Sequence, residues 1–351
     1  MQIDAAELDR WLARFAPDAE IVLGRDGVRP PSTGTFDLST AGFGPGTDDE
    51  RAVRSTLASR YDRRGEEVLL TTGSREATLL SLLSLLDADQ HAVVLTPTTH
   101  PVEALSGMLG DVTTVAASPP DWGVDLDAVA EATRPETGLI LAANPVDPTG
   151  RRLGGATVEA LYELAADADA YLCCDERGRG LLSDPPPSAA ALGPRGLATG
   201  DLSVAFGLDN LGWIAGPPAV VSAARHWRDY TTGGPSALDT HVARQALDRE
   251  DELLDDNRAL VEENRATVAA TLDAAGLDWH DPAGAVGFPA VPEGFASGGA
   301  FCRQLLRETS VLFAPGDAVG VRDHFRIGFG VDPETLATGL DRLGEFLDRH
   351  A

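Results

Sequence analysis

Apolar and polar positions alternate in blocks along most of this chain. VLLTTG (68–73) precedes a helical pattern carrying Leu79, Leu80, Leu82, Leu83 and Leu86. HAVVLTP (91–97), DVTTVAAS (111–118), GLILAANP (138–145), AYLCCDE (170–176), LSVAFG (202–207) and GWIAGPP (212–218) follow as further strands, with helical patterns at 102–109, 126–132 and 158–166 between them. Near-continuous apolar strands separated by helices predict an α/β unit built on a mostly parallel sheet covered on both faces.

The pattern changes after Gly234. Residues 236–275 read as one long, charged helix broken only at Gly276, fit to bridge two lobes. Strand GAVGFPAV (284–291), helix 299–308, strands VLFAP (311–315) and HFRIGFG (324–330) and helix 333–350 then predict a smaller α+β lobe. The expected organisation is an N-terminal arm (1–35), a large domain (36–235) and an interdomain helix with a small C-terminal domain (236–351). No internal repeat is visible, and the proline triplet at 185–187 reads as a loop.

Charge adds a second signal. The 351 residues carry 55 Asp and Glu against 28 arginines, and no lysine at all, for a formal net charge of −27. The acid is spread along the whole chain, the pattern of a protein kept soluble in very high salt, where self-repulsion is screened. A GC-rich genome would also trade lysine for arginine. Such a charge argues against nucleic acid or an anionic membrane as a partner. The start MQIDAAELDRWLARF lacks a basic and then apolar leader, and no apolar run reaches the length of a membrane span, so a cytoplasmic setting is expected. Cys173, Cys174 and Cys302 lack metal-ligand spacing and read as small buried hydrophobes; no metal site is predicted.

Five segments carry candidate chemistry. TTGSREA (71–77) closes a strand and opens a helix, where free N–H groups at Gly73, Ser74 and Arg75 suit an anion or serve an ordinary helix start. NPVDPTG (144–150) is a turn, CCDERGRG (173–180) places Asp175 at the end of an apolar strand, and SVAFGLDNLGWIAGPP (203–218) follows. HFRIGFG sets Arg326 in a strand, its fork suited to a carboxylate ligand or to an internal ion pair. In this order and spacing the five resemble the class I/II aminotransferases, fold-type I pyridoxal-phosphate (PLP) enzymes of histidinol-phosphate-aminotransferase-like proportions. The resemblance covers roughly residues 36–350, and NPVDPTG is its strongest single match.

The resemblance implies a seven-stranded sheet, a homodimer, PLP as cofactor and an amino or keto acid as substrate. By it, Gly73, Ser74 and Arg75 lie at the cofactor phosphate, Thr99 where an aromatic stacks on the ring, and Asp147 and Asp175 at the ring's oxygen and nitrogen. Arg326 lies at the substrate carboxylate. Several of these positions depart from the family pattern. Val204 takes the place of the Schiff-base lysine, and valine can neither form an imine nor move a proton. The following loop is two residues shorter than the family's, which removes the phosphate-clamping arginine. Asp147 replaces an asparagine, so an ionised carboxylate would face the cofactor's phenolic oxygen. Gly178 stands for a tyrosine, His100 is a poor neighbouring substitute for the missing aromatic, and Asp201 places negative charge beside a dianion. The expectation is a degenerate, noncovalent site in a member that has lost transaminase catalysis, serving as a small-anion binder or as the partner of an active paralogue. The alternative is an active PLP or pyridoxamine-phosphate enzyme working without an internal aldimine.

Overall fold

A computed structural model describes residues 6–32, 34–42, 47–99 and 102–350. The chain opens with α1 (Glu7–Phe15), β1 (Ile21–Val22) and α2 (Asp48–Arg60). The large lobe continues through β2 (Val68–Thr71), α3 (Ser74–Leu85), β3 (His91–Thr96), α4 (Val102–Leu109), β4 (Asp111–Ala116), α5 (Leu126–Ala132), β5 (Thr137–Ala143), α6 (Gly155–Asp167), β6 (Tyr171–Asp175), β7 (Gly196–Asp201), α7 (Ser203–Phe206), β8 (Gly212–Ala215) and α8 (Pro218–Arg228). α9 (Ala237–Asp248) and α10 (Glu250–Ala274) lead to β9 (Val286–Gly287), α11 (Gly298–Thr309), β10 (Val311–Leu312), β11 (Ala314–Pro315), β12 (Phe325–Gly328) and α12 (Pro333–His350).

Seven strands form one sheet in the order β2-β8-β7-β6-β5-β3-β4, the seven-stranded, mostly parallel sheet expected from the sequence. Only β8 runs against the rest. Successive residues of the central strands enter opposite cores, as the pleat requires. Val94, Leu141 and Cys173 pack on the α3 and α8 side, while Val93, Ile140 and Cys174 pack on the α5 and α6 side. Cys302 is buried in a third core that joins α11 and α12 to the N-terminal arm, α2 and β2, and all three thiols are free, as small buried hydrophobes should be.

The sheet differs from the sequence expectation at one strand. Residues 203–206 are a short helix, and β7 lies just upstream at GLATGD. Asp201 turns the chain there, its Oδ1 accepting from both the backbone N–H and the hydroxyl of Ser203. Gly207, at φ +66°, closes the turn. β7 lacks an aliphatic run because its glycines admit close neighbours: a Cβ on Gly200 would lie 2.6 Å from the Trp213 ring, and one on Gly196 1.8 Å from the Ala189 carbonyl.

The long helix expected over 236–275 is two helices, broken at Arg249, whose φ and ψ of −118° and 27° leave the helical region. VLFAP also splits, around the buried Phe313. β10 pairs in parallel with β1 of the N-terminal arm, and β11 pairs with β12. The arm is held further by the Trp11 indole, which donates to the Phe313 carbonyl at 2.9 Å. No helix among the described residues is long and apolar enough to cross a membrane.

Candidate active site

Five strands that share one direction end at the same edge of the large sheet. β2 leads into Gly73–Ser74, β3 into Thr98–Thr99, β5 into Pro145–Asp147, β6 into Asp175–Gly178, and β7 into Asp201–Val204. In open α/β sheets this carboxyl edge is where ligands bind. Two adjoining hollows lie here, both touching Asp26 and Arg177. The inner one, with about 30 Å³ of free volume, is lined by Thr99, Asp147, Asp175, Gly178 and Val204, and by residues 284–286 of the small lobe. The outer one, about 580 Å³, is lined by Gly73, Ser74, Arg75, Asp201 and Ser203. The residues singled out from the sequence therefore meet in one cleft, and Arg326 reaches its wall from β12. His100 lies outside the described residues.

Inside the cleft the charged groups are paired with one another. Arg326 is 2% exposed; its Nη1 donates to both oxygens of Asp147 at 2.9 Å, and its Nε and Nη2 donate to the Gly24 carbonyl. Thr99 donates from its hydroxyl to the same Asp147 carboxylate at 2.8 Å. Arg177 donates from Nε to Asp175 at 2.9 Å, and its Nη1 lies 3.3 Å from Asp26. Burial works against the charge of Arg326, but Asp147 and Asp26 outweigh it and hold its pKa above the usual arginine value. Burial also raises Asp147, against the pull of Arg326 and helped by the like charge of Asp26. Asp26 goes the other way: burial would raise it, yet Arg326, Arg177 and a hydrogen bond with Asp147 hold it low. Asp147 and Asp26 thus form a coupled pair, one raised and one lowered, set beside the two guanidiniums.

At the outer hollow, α3 begins at Gly73, whose φ of +84° suits glycine, and its first turn presents amide donors to the cleft. Asp201 already accepts there. Its Oδ2 lies 2.6 Å from the Ser74 hydroxyl and 3.4 Å from the Ser74 amide, while its Oδ1 holds Ser203. Arg75 is held in an exposed ion pair with Asp9, which lines the same hollow. No arginine occurs between 203 and 215. Gly212 stands against the α3 start so closely that a Cβ there would lie 2.3 Å from the Gly73 carbonyl carbon. Gly178 is equally confined, a Cβ at that position lying 2.9 Å from Pro145. Val204 is buried and faces the cleft, its Cγ1 turned toward Gly178.

Arg177 and Asp26 were not legible as site residues. Arg177 sits two positions past Asp175 in CCDERGRG, where a cation after an apolar strand end is a usable signal. Asp26 lies in the N-terminal arm and enters the cleft through tertiary packing alone.

The chain belongs to the aminotransferase class I and II family, whose model matches residues 39–343. It is 31% identical to the capreomycidine synthase of Streptomyces vinaceus, over 99% of this chain and 95% of that protein. Among solved structures it is similar to a PLP-dependent aminotransferase from Streptococcus suis, with a TM-score of 0.92 at 27% identity, covering 100% and 99% of the two chains. A PLP-dependent cyclase, OrfR, superposes with a TM-score of 0.90, also at 27% identity and with the same coverage.

Proposed function

We propose that this chain is a class I/II aminotransferase-family protein that has lost transaminase catalysis and no longer has a working PLP pocket. The observation that carries the reading is that the chain's own charges engage the anchor points a cofactor and substrate would need. Asp201 takes the first-turn donors of α3, Arg177 takes Asp175, and Asp147 takes Arg326. A phosphate dianion brought to Ser74 would meet a carboxylate already bonded there, and like charges at such distance repel strongly in a buried site. A substrate carboxylate would have to displace Asp147 from a guanidinium that is almost wholly buried.

The residues present therefore do not fit PLP. With Val204 at the lysine position and no lysine in the chain, no side-chain amine can form an imine. What the cleft retains is shape and a balanced charge network. That suits a cytoplasmic homodimer of the family's kind, acting beside an active paralogue or binding a small ligand without transforming it.

The test is to incubate the protein with excess PLP, reduce with borohydride and map the product by mass spectrometry. No pyridoxyl group is expected on any residue within the chain. Conversion of PLP to pyridoxamine phosphate in step with consumption of an amino acid would overturn the proposal, whatever the mechanism.

A further inference from the structure

Away from the cleft, a groove of about 610 Å³ lies between the 181–184 loop of the large lobe, one face of α10 and residues 283–284 of the small lobe. Three arginines line it: Arg152 from the large lobe, and Arg258 and Arg265 from α10. The two on α10 are seven residues apart, so they share a face about 10 Å apart along the axis. In a chain with twice as many acids as arginines, this convergence runs against the background charge.

Two of these guanidiniums keep donors in reserve. Arg265 is committed, to Glu262, Asp281 and the Pro282 carbonyl. Among the described residues Arg152 has one side-chain partner, Asp184 at 3.2 Å, whose side chain is 91% exposed. Its Nε is sealed from solvent and has no acceptor among them, and its Nη1 makes no hydrogen bond there either. Arg258 donates from Nε to the Gly180 carbonyl and from Nη1 to the exposed Asp255, and its Nη2 makes no hydrogen bond among the described residues. A solvent-exposed ion pair is easily exchanged. The terminal guanidinium nitrogens of Arg152 and Arg258 are therefore open to an incoming acceptor. The volume is that of a small-metabolite site.

We propose that this groove binds a small polyanion carrying two or more carboxylate or phosphate groups, gripped from opposite walls by Arg152 and Arg258. The inference is independent of the state of the cleft.

The experiment is calorimetric titration of the full chain with tripolyphosphate and, separately, with citrate, at constant chloride. One-to-one binding of at least one probe is expected, and comparing the two separates phosphate from carboxylate recognition. Arg152→Gln and Arg258→Gln should each weaken it by about tenfold or more, the usual loss for one charge-assisted contact. Arg258 also ties α10 to the Gly180 carbonyl; if its variant fails to fold, Arg152→Gln decides, because that side chain is 37% exposed with a single exposed partner. The proposal falls if neither probe binds, or if the groove variants bind as the unaltered protein does. It falls equally if Arg75→Gln abolishes binding while Arg152→Gln preserves it, which would put the anion in the cleft.

Discussion

Glu176 offers a quantitative check on how the large lobe is held together. It follows Asp175 directly but turns away from the cleft, 5% exposed, to accept from the Ser188 hydroxyl at 2.8 Å and the Ala189 amide at 3.0 Å through one oxygen. The other oxygen is buried without a hydrogen bond, and Arg179 stands 3.7 Å away. Burial is the dominant influence, only partly offset by Arg179 and the two hydrogen bonds, and pushes the carboxyl from an ordinary 4.5 up to about 7. The folded state therefore holds a proton that the unfolded chain releases between these values. Stability is full below the unfolded value and declines as pH rises through the folded one. At 1.36 kcal/mol per tenfold, the loss above pH 7 is about 3 kcal/mol.

Glu176→Gln mimics the protonated acid and can still accept both hydrogen bonds. The attraction of Arg179 acts only on the ionised acid and is already contained in the shift. Urea denaturation at fixed salt should find the two proteins within about 1 kcal/mol of each other near pH 5 and the variant about 3 kcal/mol more stable at pH 8. A difference that does not change between pH 5 and 8, or a variant less stable at pH 8, would refute the reasoning.

Other outcomes follow from the cleft. Val204→Lys alone should give no stoichiometric imine absorbance when titrated with PLP in molar salt. Adding Arg177→Ala and Asp201→Ser should tighten PLP at least tenfold over the single variant, by freeing the α3 donors and Asp175; tight binding by the single variant would show that the pocket was open all along. Asp147→Asn should cost within about 1 kcal/mol in urea denaturation, well under the 3–5 kcal/mol of breaking an ordinary buried pair. Asp26 remains to balance Arg326, and the repulsion between the two carboxylates disappears. Because Asp147 titrates above its usual range in the fold, the unaltered protein should also lose stability relative to this variant as pH rises; a larger penalty at high pH than at low would contradict that assignment.

The large sheet was legible because its central strands are largely apolar runs buried on both faces, a signal carried by single residues. β7 escaped because it is built for close approach: Gly196 and Gly200 make room for a carbonyl and an indole, and the composition that permits this erases the apolar run. The same logic governs the site. Thr99, Asp147, Asp175 and Val204 lie at or just beyond the ends of parallel strands, so locating the strands locates the cleft. Their partners were hidden, since Asp26 and Arg326 are brought to Asp147 from opposite ends of the chain, and no local pattern records an ion pair of that span. That Arg326 pairs with an internal carboxylate became visible only once Asp147 was seen against it.

The carboxylate at the start of α3 has a thermodynamic consequence. A protein that folds around a dissociable ligand gains stability by mass action, about 2.7 kcal/mol when the ligand stands at a hundred times its dissociation constant, and loses it when the supply falls. Asp201 is covalently part of the chain, so its occupancy of Ser74 and Ser203 does not depend on any concentration. The hold of β7 on the start of α3 is therefore set by the chain alone.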